Sequence, residues 1–226
     1  MHSPVPDVIP AELLLRAYRS GVFPMADHRG DREVYWVEPR ERAIIPLDGF
    51  HLSKSLRKVL RQDRFRVSCN EDFPAVIAAC AEPREELAES WISHQIEASY
   101  IALQQAGHAH SIEVWAGDEL VGLYGVAFDR VFCGESMFSR ADNASKVALA
   151  WLVSAMRRAG YALLDCQFMT GHLGSLGAIA MPQAAYLERL FAARGAPASD
   201  IPGQVAASNA HSSPGNSIAQ DLTQTS

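Results

Sequence analysis

The sequence has no apolar run approaching the twenty or so residues that a bilayer crossing needs, which excludes a membrane-spanning helix. Its first dozen residues, MHSPVPDVIPAE, have neither the basic segment nor the apolar core of a leader, so no secretory signal is expected. Cysteine is scarce. Cys69, Cys80, Cys133 and Cys166 are widely spaced and form no CxxC pair, which argues against a disulfide framework or a thiolate metal centre and for buried thiols in a reducing cytosol. Positive charge is also in short supply: 20 Lys and Arg face 26 Asp and Glu, and a net charge of -6 speaks against a generic nucleic-acid binder with a broad basic face. No Walker-type glycine loop is present, so no nucleotide cofactor is indicated.

What is there suffices for a globular core, since 48% of the 226 residues are hydrophobic. The few basic residues are concentrated. Residues 54 to 66 read KSLRKVLRQDRFR, with Lys54, Arg57, Lys58, Arg61, Arg64 and Arg66 against one acid, Asp63. Such a cluster serves either as a solvated helix face or as a grip for phosphates.

Along the chain, Pro10 and Gly21 bracket a first helix, and strands are expected at 33 to 37 and 42 to 46. The basic helix 52 to 62, a strand at 64 to 69 and a short helix at 73 to 80 follow. The charged segment 82 to 90 reads as a surface connection, which places a boundary between a small N-terminal α/β domain, residues 1–85, and a main domain, residues 86–194. In the main domain, a helix over 93 to 106 precedes strands at 111 to 116, 119 to 128 and 131 to 134, with turns at Gly117-Asp118 and Asp129-Arg130. Ala148, Trp151, Leu152, Ala155 and Met156 then form one stripe of a helix from about 144 to 159, capped by Asn143 and ended by Gly160. A strand at 161 to 168 and helices near 173 to 178 and 182 to 194 close the fold, so the class is α+β. Residues 195–226 have no Lys, Arg or aromatic residue and are rich in Ser, Ala, Gly and Pro; a disordered tail is expected.

The stretch 131 to 167 carries the chemistry. It reads as strand, helix, strand, with Glu135 and Ser136 at the end of the first strand and Asp165 and Gln167 at the end of the second. Asp165 and Gln167 are two apart on a strand, so both leave the same face of the sheet. Carboxylates and amides there are costly to bury unless they meet a partner or a substrate, which makes a site the economical explanation. His108 and His110 also share a face of an extended segment, but two ligands fall short of a zinc site and no metal is expected.

The segments LLRAYRSGVFPMAD, YWVEPRERAIIPLDGFH, ESWIS, GHAHSIEVW, FCGESMFSR, NASKVAL, LLDCQ, SLGA and MPQAAYL, in that order, resemble the bacterial leucyl/phenylalanyl-tRNA-protein transferase family from about residue 8 to 192. The resemblance implies a small N-terminal domain followed by an acyltransferase domain like that of the GCN5-related N-acetyltransferases. It implies transfer of Leu, Phe or Met from aminoacyl-tRNA to the N-terminal α-amine of proteins beginning with Arg or Lys, marking them for degradation through the N-degron route. The partners are then aminoacyl-tRNA and acceptor proteins. No cofactor is expected, and a cytoplasmic monomer is.

By the same resemblance Asp165 and Gln167 carry the transfer, Glu135 contacts incoming amino groups beside Ser136, and Leu123, Phe132, Leu152, Met156 and Leu164 form the slot for the aminoacyl side chain. Leu152 and Met156 are i and i+4 on the helix, and Leu164 immediately precedes Asp165, as a slot requires. Sequence alone reads the five apolar residues as ordinary core and Asp165 equally well as a satisfied structural carboxylate. Tyr18, Trp91 and Tyr100 match positions near the tRNA 3' adenosine, with Trp36 nearby. An α-amine with a pKa of about 7.7 to 8.0 needs little activation, so positioning and a proton acceptor are the main requirements. Gln167 is not itself a base; it suits the orientation of the amine.

Three departures from the family pattern stand out. Met25 replaces the aromatic residue of an FPW stretch, His94 replaces a basic residue, and a single glycine, Gly122, precedes Leu123 where two are common. A deleted strand residue reverses the facing of its neighbours unless a bulge is lost with it, which bears on Leu123. Two other readings are an acetyl-CoA-dependent N-acetyltransferase and a non-catalytic tRNA-binding module. The first expects glycines at the start of the central helix, where this chain has Arg140-Ala141-Asp142-Asn143. The second leaves Glu135, Asp165 and Gln167 grouped without a reason.

Overall fold

The computed structural model describes residues 8–83 and 89–224. Helix α1, Ala11–Arg19, follows Pro10 and buries Leu14, Leu15, Ala17 and Tyr18. Strands β1, Phe23–Met25, and β2, Tyr35–Val37, pair as a separate antiparallel ribbon. Next come β3, Glu41–Ile45; α2, Lys54–Arg61; β4, Arg66–Cys69; and α3, Phe73–Cys80. The side chains of Ser53 and Asp72 cap these two helices by accepting from the Leu56 and Ala75 N–H groups. The chain continues through α4, His94–Gln105, capped by Ser93, to the meander β5, Ala109–Ala116; β6, Glu119–Phe128; and β7, Val131–Phe138. Helix α5, Ala144–Ala159, crosses over to β8, Leu163–Gln167. The last elements are α6, Gly171–Ser175; β9, Ile179–Pro182; α7, Gln183–Ala192; α8, Ile201–Asn209; and α9, Pro214–Asp221.

Seven strands form one mixed sheet in the order β4-β5-β6-β7-β8-β3-β9. Every pairing in it is antiparallel except β7 with β8, the pair that α5 connects. Alternating side chains feed two cores. Ile44, Tyr124 and Cys133 enter one, with α1, α3, α4 and α7, while their neighbours Ile45, Leu123 and Phe132 enter the other, with α2, α5, α8 and α9. Both faces of the sheet are therefore covered by helices, which explains the nearly continuous apolar character of its central strands. No helix among the described residues is long and apolar enough to cross a membrane.

Several elements differ from the sequence reading. Strands β1 and β9 are additional, and β7 runs to Phe138 because it stays paired with β6 past the residues it shares with β8. Asn143 stands at the start of α5 with φ 66° and makes no side-chain cap. The expected disordered tail is instead helical. The Asp200 side chain accepts from the Gly203 N–H, Pro202 and Pro214 suit the first turns of α8 and α9, and Ile201, Val205, Ile218 and Leu222 are buried against α2, α5 and β4. These few apolar side chains suffice because the surface they cover already exists. The boundary expected at 85/86 falls on residues 84–88, outside the described residues. On its N-terminal side, β3 and β4 already belong to the seven-stranded sheet.

Candidate active site

Strands β7 and β8 are paired only through Val131↔Leu163, Phe132↔Leu164 and Cys133↔Asp165. Beyond that point β7 stays with β6 and β8 stays with β3, so the two parallel strands part. The gap is the floor of a cavity of about 610 Å³. Leu123, Leu149, Leu152, Leu164 and Leu173 give it apolar walls, and Glu135, Ser136 and Gln167 line it as well. Its rim includes Met25, Trp91, Phe168 and His172.

A β-bulge delivers Glu135 to this edge. Tyr124 pairs with Ser136 and Gly125 with Gly134, which leaves Glu135 as the extra residue on β7. Gly125 is required at the bulge, since a Cβ there would lie 2.2 Å from the Cys133 carbonyl oxygen and 2.4 Å from the Phe132 ring. Glu135 Oε2 accepts from Gln167 Nε2 at 2.9 Å and from the Tyr100 hydroxyl at 3.3 Å, and that hydroxyl also bonds the Tyr18 hydroxyl. Burial pushes the Glu135 carboxyl up to about 7, against the pull of the nearby Tyr18 hydroxyl and of the Gln167 hydrogen bond. Burial likewise raises both tyrosines.

Asp165 lies one layer deeper. Its carboxylate accepts from Arg42 Nε at 2.9 Å and Nη2 at 2.6 Å, from the Tyr186 hydroxyl at 3.0 Å and from the Gln167 backbone N–H at 2.9 Å. Asp165 and Arg42 are both fully buried. The Arg42 guanidinium sits between the Phe23 and Tyr186 rings, at 4.8 and 4.6 Å from their centroids, and donates to the Gly21 carbonyl. Burial works against its charge, but Asp165 overcomes this and holds its pKa above the ordinary value. A buried ion pair with every lone pair engaged is a rigid support and has no room for a substrate atom. Its reach to the cavity runs through Gln167, whose φ of 61° turns the chain so that its side chain meets Glu135.

The structure thus brings Glu135, Ser136, Gln167, Leu123, Leu152, Leu164 and Trp91 to one cavity. Leu123 faces it despite the single glycine before it. Phe132 and Met156 are fully buried and are not among the lining residues. Tyr18 and Tyr100 are also fully buried, with rings packed on Phe128 and Tyr124, so neither has a face open for stacking on a base. Trp36, on β2, is 40% exposed. His110 bonds the Asn70 amide through Nδ1 at 2.9 Å, and the described residues contain no group of three or more side chains able to hold a metal. The sequence reading missed Arg42, Tyr186 and Leu149. Arg42 left one signal, a charge inside the apolar strand ERAII.

The profile of the leucyl/phenylalanyl-tRNA protein transferase family matches residues 44–191, and that of the family's N-terminal domain matches residues 8–40. The leucyl/phenylalanyl-tRNA-protein transferase of Novosphingobium aromaticivorans is 54% identical over 258 aligned positions, covering 98% of each chain. That of Zymomonas mobilis is 55% identical over 188, covering 83% of this chain and 70% of the relative. That of Ruegeria pomeroyi is 50% identical over 183, covering 80% and 85%.

Proposed function

The chain belongs to the leucyl/phenylalanyl-tRNA-protein transferase family, and on that premise we propose that it transfers Leu, Phe or Met from aminoacyl-tRNA to the N-terminal α-amine of proteins that begin with Arg or Lys, marking them for degradation. The observation that carries this reading is the cavity between the parting strands, with apolar walls for the aminoacyl side chain and Glu135 and Gln167 at its polar edge. An aminoacyl ester enters side chain first against Leu123, Leu152 and Leu164, which leaves its carbonyl beside Gln167. With Nε2 committed to Glu135, the Gln167 carbonyl oxygen is the end of the amide left to orient an amine. Asp165 is a positioning residue, acting through the Gln167 backbone.

Glu135 supplies the negative charge that an acceptor with an Arg or Lys terminus seeks. Trp91 on the rim is suited to the terminal adenosine, as is the exposed Trp36 of β2, the strand paired with β1; Met25 of β1 lines the cavity with a thioether. The exposed Lys54, Lys58 and Arg61 of α2 suit tRNA phosphates, and the segment leading into that helix is tied by the bond from the His51 N–H to the Leu176 carbonyl to the end of α6, the helix that carries the cavity residues His172 and Leu173. The parallel β7/β8 pair bridged by α5 supports an acyltransferase domain of the GCN5-related type, here with the N-terminal unit ending near residue 40. A cytoplasmic monomer fits localised contacts to tRNA.

The test is transfer of radiolabelled leucine from Leu-tRNA to a peptide beginning with Arg, beside a peptide beginning with Asp and an acetyl-CoA reaction. Label on the Arg peptide alone is expected. Acetylation would move the assignment to the CoA-dependent enzymes, and label on the Asp peptide would reverse the acceptor charge preference.

A further inference from the structure

The proton that leaves the attacking amine needs a destination. Asp165 does not line the cavity, and its carboxylate is saturated by Arg42, Tyr186 and the Gln167 N–H. An amide such as Gln167 is no base. Glu135 differs in its setting: it is the bulged residue of β7, it lines the cavity, and only one of its oxygens is engaged. Its Oε1 is buried with no hydrogen-bond partner among the described residues, and so is the hydroxyl of Tyr124, which lines the same cavity. Across the same cavity His172 Nε2 is likewise buried and unpartnered, and unmet polar atoms lining one cavity mark it as a place for a polar ligand group.

We infer that Glu135 is the proton acceptor of the transfer, with Gln167 and Tyr100 fixing its carboxylate so that Oε1 receives the proton of the acceptor's α-amine. This rests on the transferase reading above. The amine nitrogen bonds to the ester carbonyl carbon, and the carbonyl electron pair moves to its oxygen. The surplus N–H proton passes to Glu135 Oε1. Collapse then breaks the bond to the terminal ribose oxygen of the tRNA, which takes the proton back from Glu135. The products are a new peptide bond, a free ribose hydroxyl and the original carboxylate.

The surroundings suit the task. The titratable and charged groups around Glu135 are Tyr18 from α1, Tyr100 from α4, Tyr124 from β6, Cys133 from β7, Asp165 from β8 and Arg42 from β3. Burial dominates, Asp165 adds to it, and Arg42 opposes; a carboxyl held at about 7 is half ionised near neutrality, where a general base works best.

Two acceptors separate proton removal from binding: a peptide beginning with Arg, and hydroxylamine, whose nitrogen gives up its proton far more readily. At saturating Leu-tRNA, Glu135→Gln is expected to lower kcat for the Arg peptide by about 10²- to 10⁴-fold, the usual worth of a general base, and to spare most of the transfer to hydroxylamine. Equal losses with the two acceptors, or a loss confined to KM, would overturn the inference. The wild type gives a readout that does not depend on the variant folding. Below pH 7, log kcat/KM for the Arg peptide should fall with a slope of about two, because the amine near 7.7 to 8.0 and Glu135 both protonate; a slope of one would overturn the inference. A wild type silent with Leu-tRNA and the Arg peptide would sink the transferase reading and this inference together, whereas an active wild type with an equally active Glu135→Gln sinks only the inference.

Discussion

At the scale of single residues, the buried Arg42–Asp165 pair is the support of the site. Arg42→Ala leaves a fully buried carboxylate without its cation, and the expected loss is about 3–5 kcal/mol, read as a drop in the urea midpoint. Arg42→Lys keeps the charge but loses the two-pronged geometry, so it should recover only part of that. Asp165 and Gln167 were legible in the sequence as polar residues in an apolar strand. Arg42 was not legible as their support, because 123 positions separate it from Asp165 and no local rule connects a charge in one strand to a charge in another. The burial of Tyr18 and Tyr100 was not legible for a related reason: a motif gives residue type, whereas exposure is set by what the fold stacks on the ring.

Glu135 makes a residue-scale prediction independent of activity. Its carboxyl ionises near 4.5 when unperturbed and at about 7 in the folded protein. Between those values the folded state holds a proton that the unfolded chain has lost, so this contribution favours folding at low pH and is lost as pH rises to 7. Glu135→Gln removes the titration. Relative to wild type, the variant should therefore gain stability from pH 5 to pH 8, by up to about 3 kcal/mol. A stability difference that does not change with pH would mean that Glu135 is not held in its protonated range.

Elements with local signals were readable and those without were not. Ser53, Asp72 and Ser93 cap helices whose starts the sequence announced. Strands β1 and β9, three and four residues long, are too short for periodicity to register. The C-terminal helices escaped because composition speaks of a segment's own capacity to fold, while α8 and α9 depend on the surface that α2, α5 and β4 offer them. They also brace the basic helix: the Gly215 N–H donates to Asp63 just beyond α2, and a Cβ at Gly215 would lie 2.1 Å from the Leu60 carbonyl oxygen. Ile218→Ala removes a fully buried side chain of α9 and should cost about 2–5 kcal/mol in global unfolding. A cost below about 0.5 kcal/mol, the range of ordinary surface substitutions, would show that α9 is not docked as described.

At the scale of the molecule, the site exists because one parallel pair sits in an otherwise antiparallel sheet and comes apart after three residue pairs. The strand, helix, strand order of residues 131 to 167 foretold that pair, but the length over which it stays joined depends on the competing partners β6 and β3. Hence Leu123, Leu152 and Leu164 reach the cavity, while Phe132 and Met156, chosen by the same pattern, stay in the core behind it. Enlarging Leu152 therefore tests the central claim that this cavity receives the aminoacyl side chain. In single-turnover transfer from Leu-tRNA and Phe-tRNA to an Arg peptide, Leu152→Trp should lower the rate for Phe at least about tenfold more than the rate for Leu, since lost space discriminates against the larger side chain. An unaltered Phe to Leu ratio in a folded Leu152→Trp protein would contradict it.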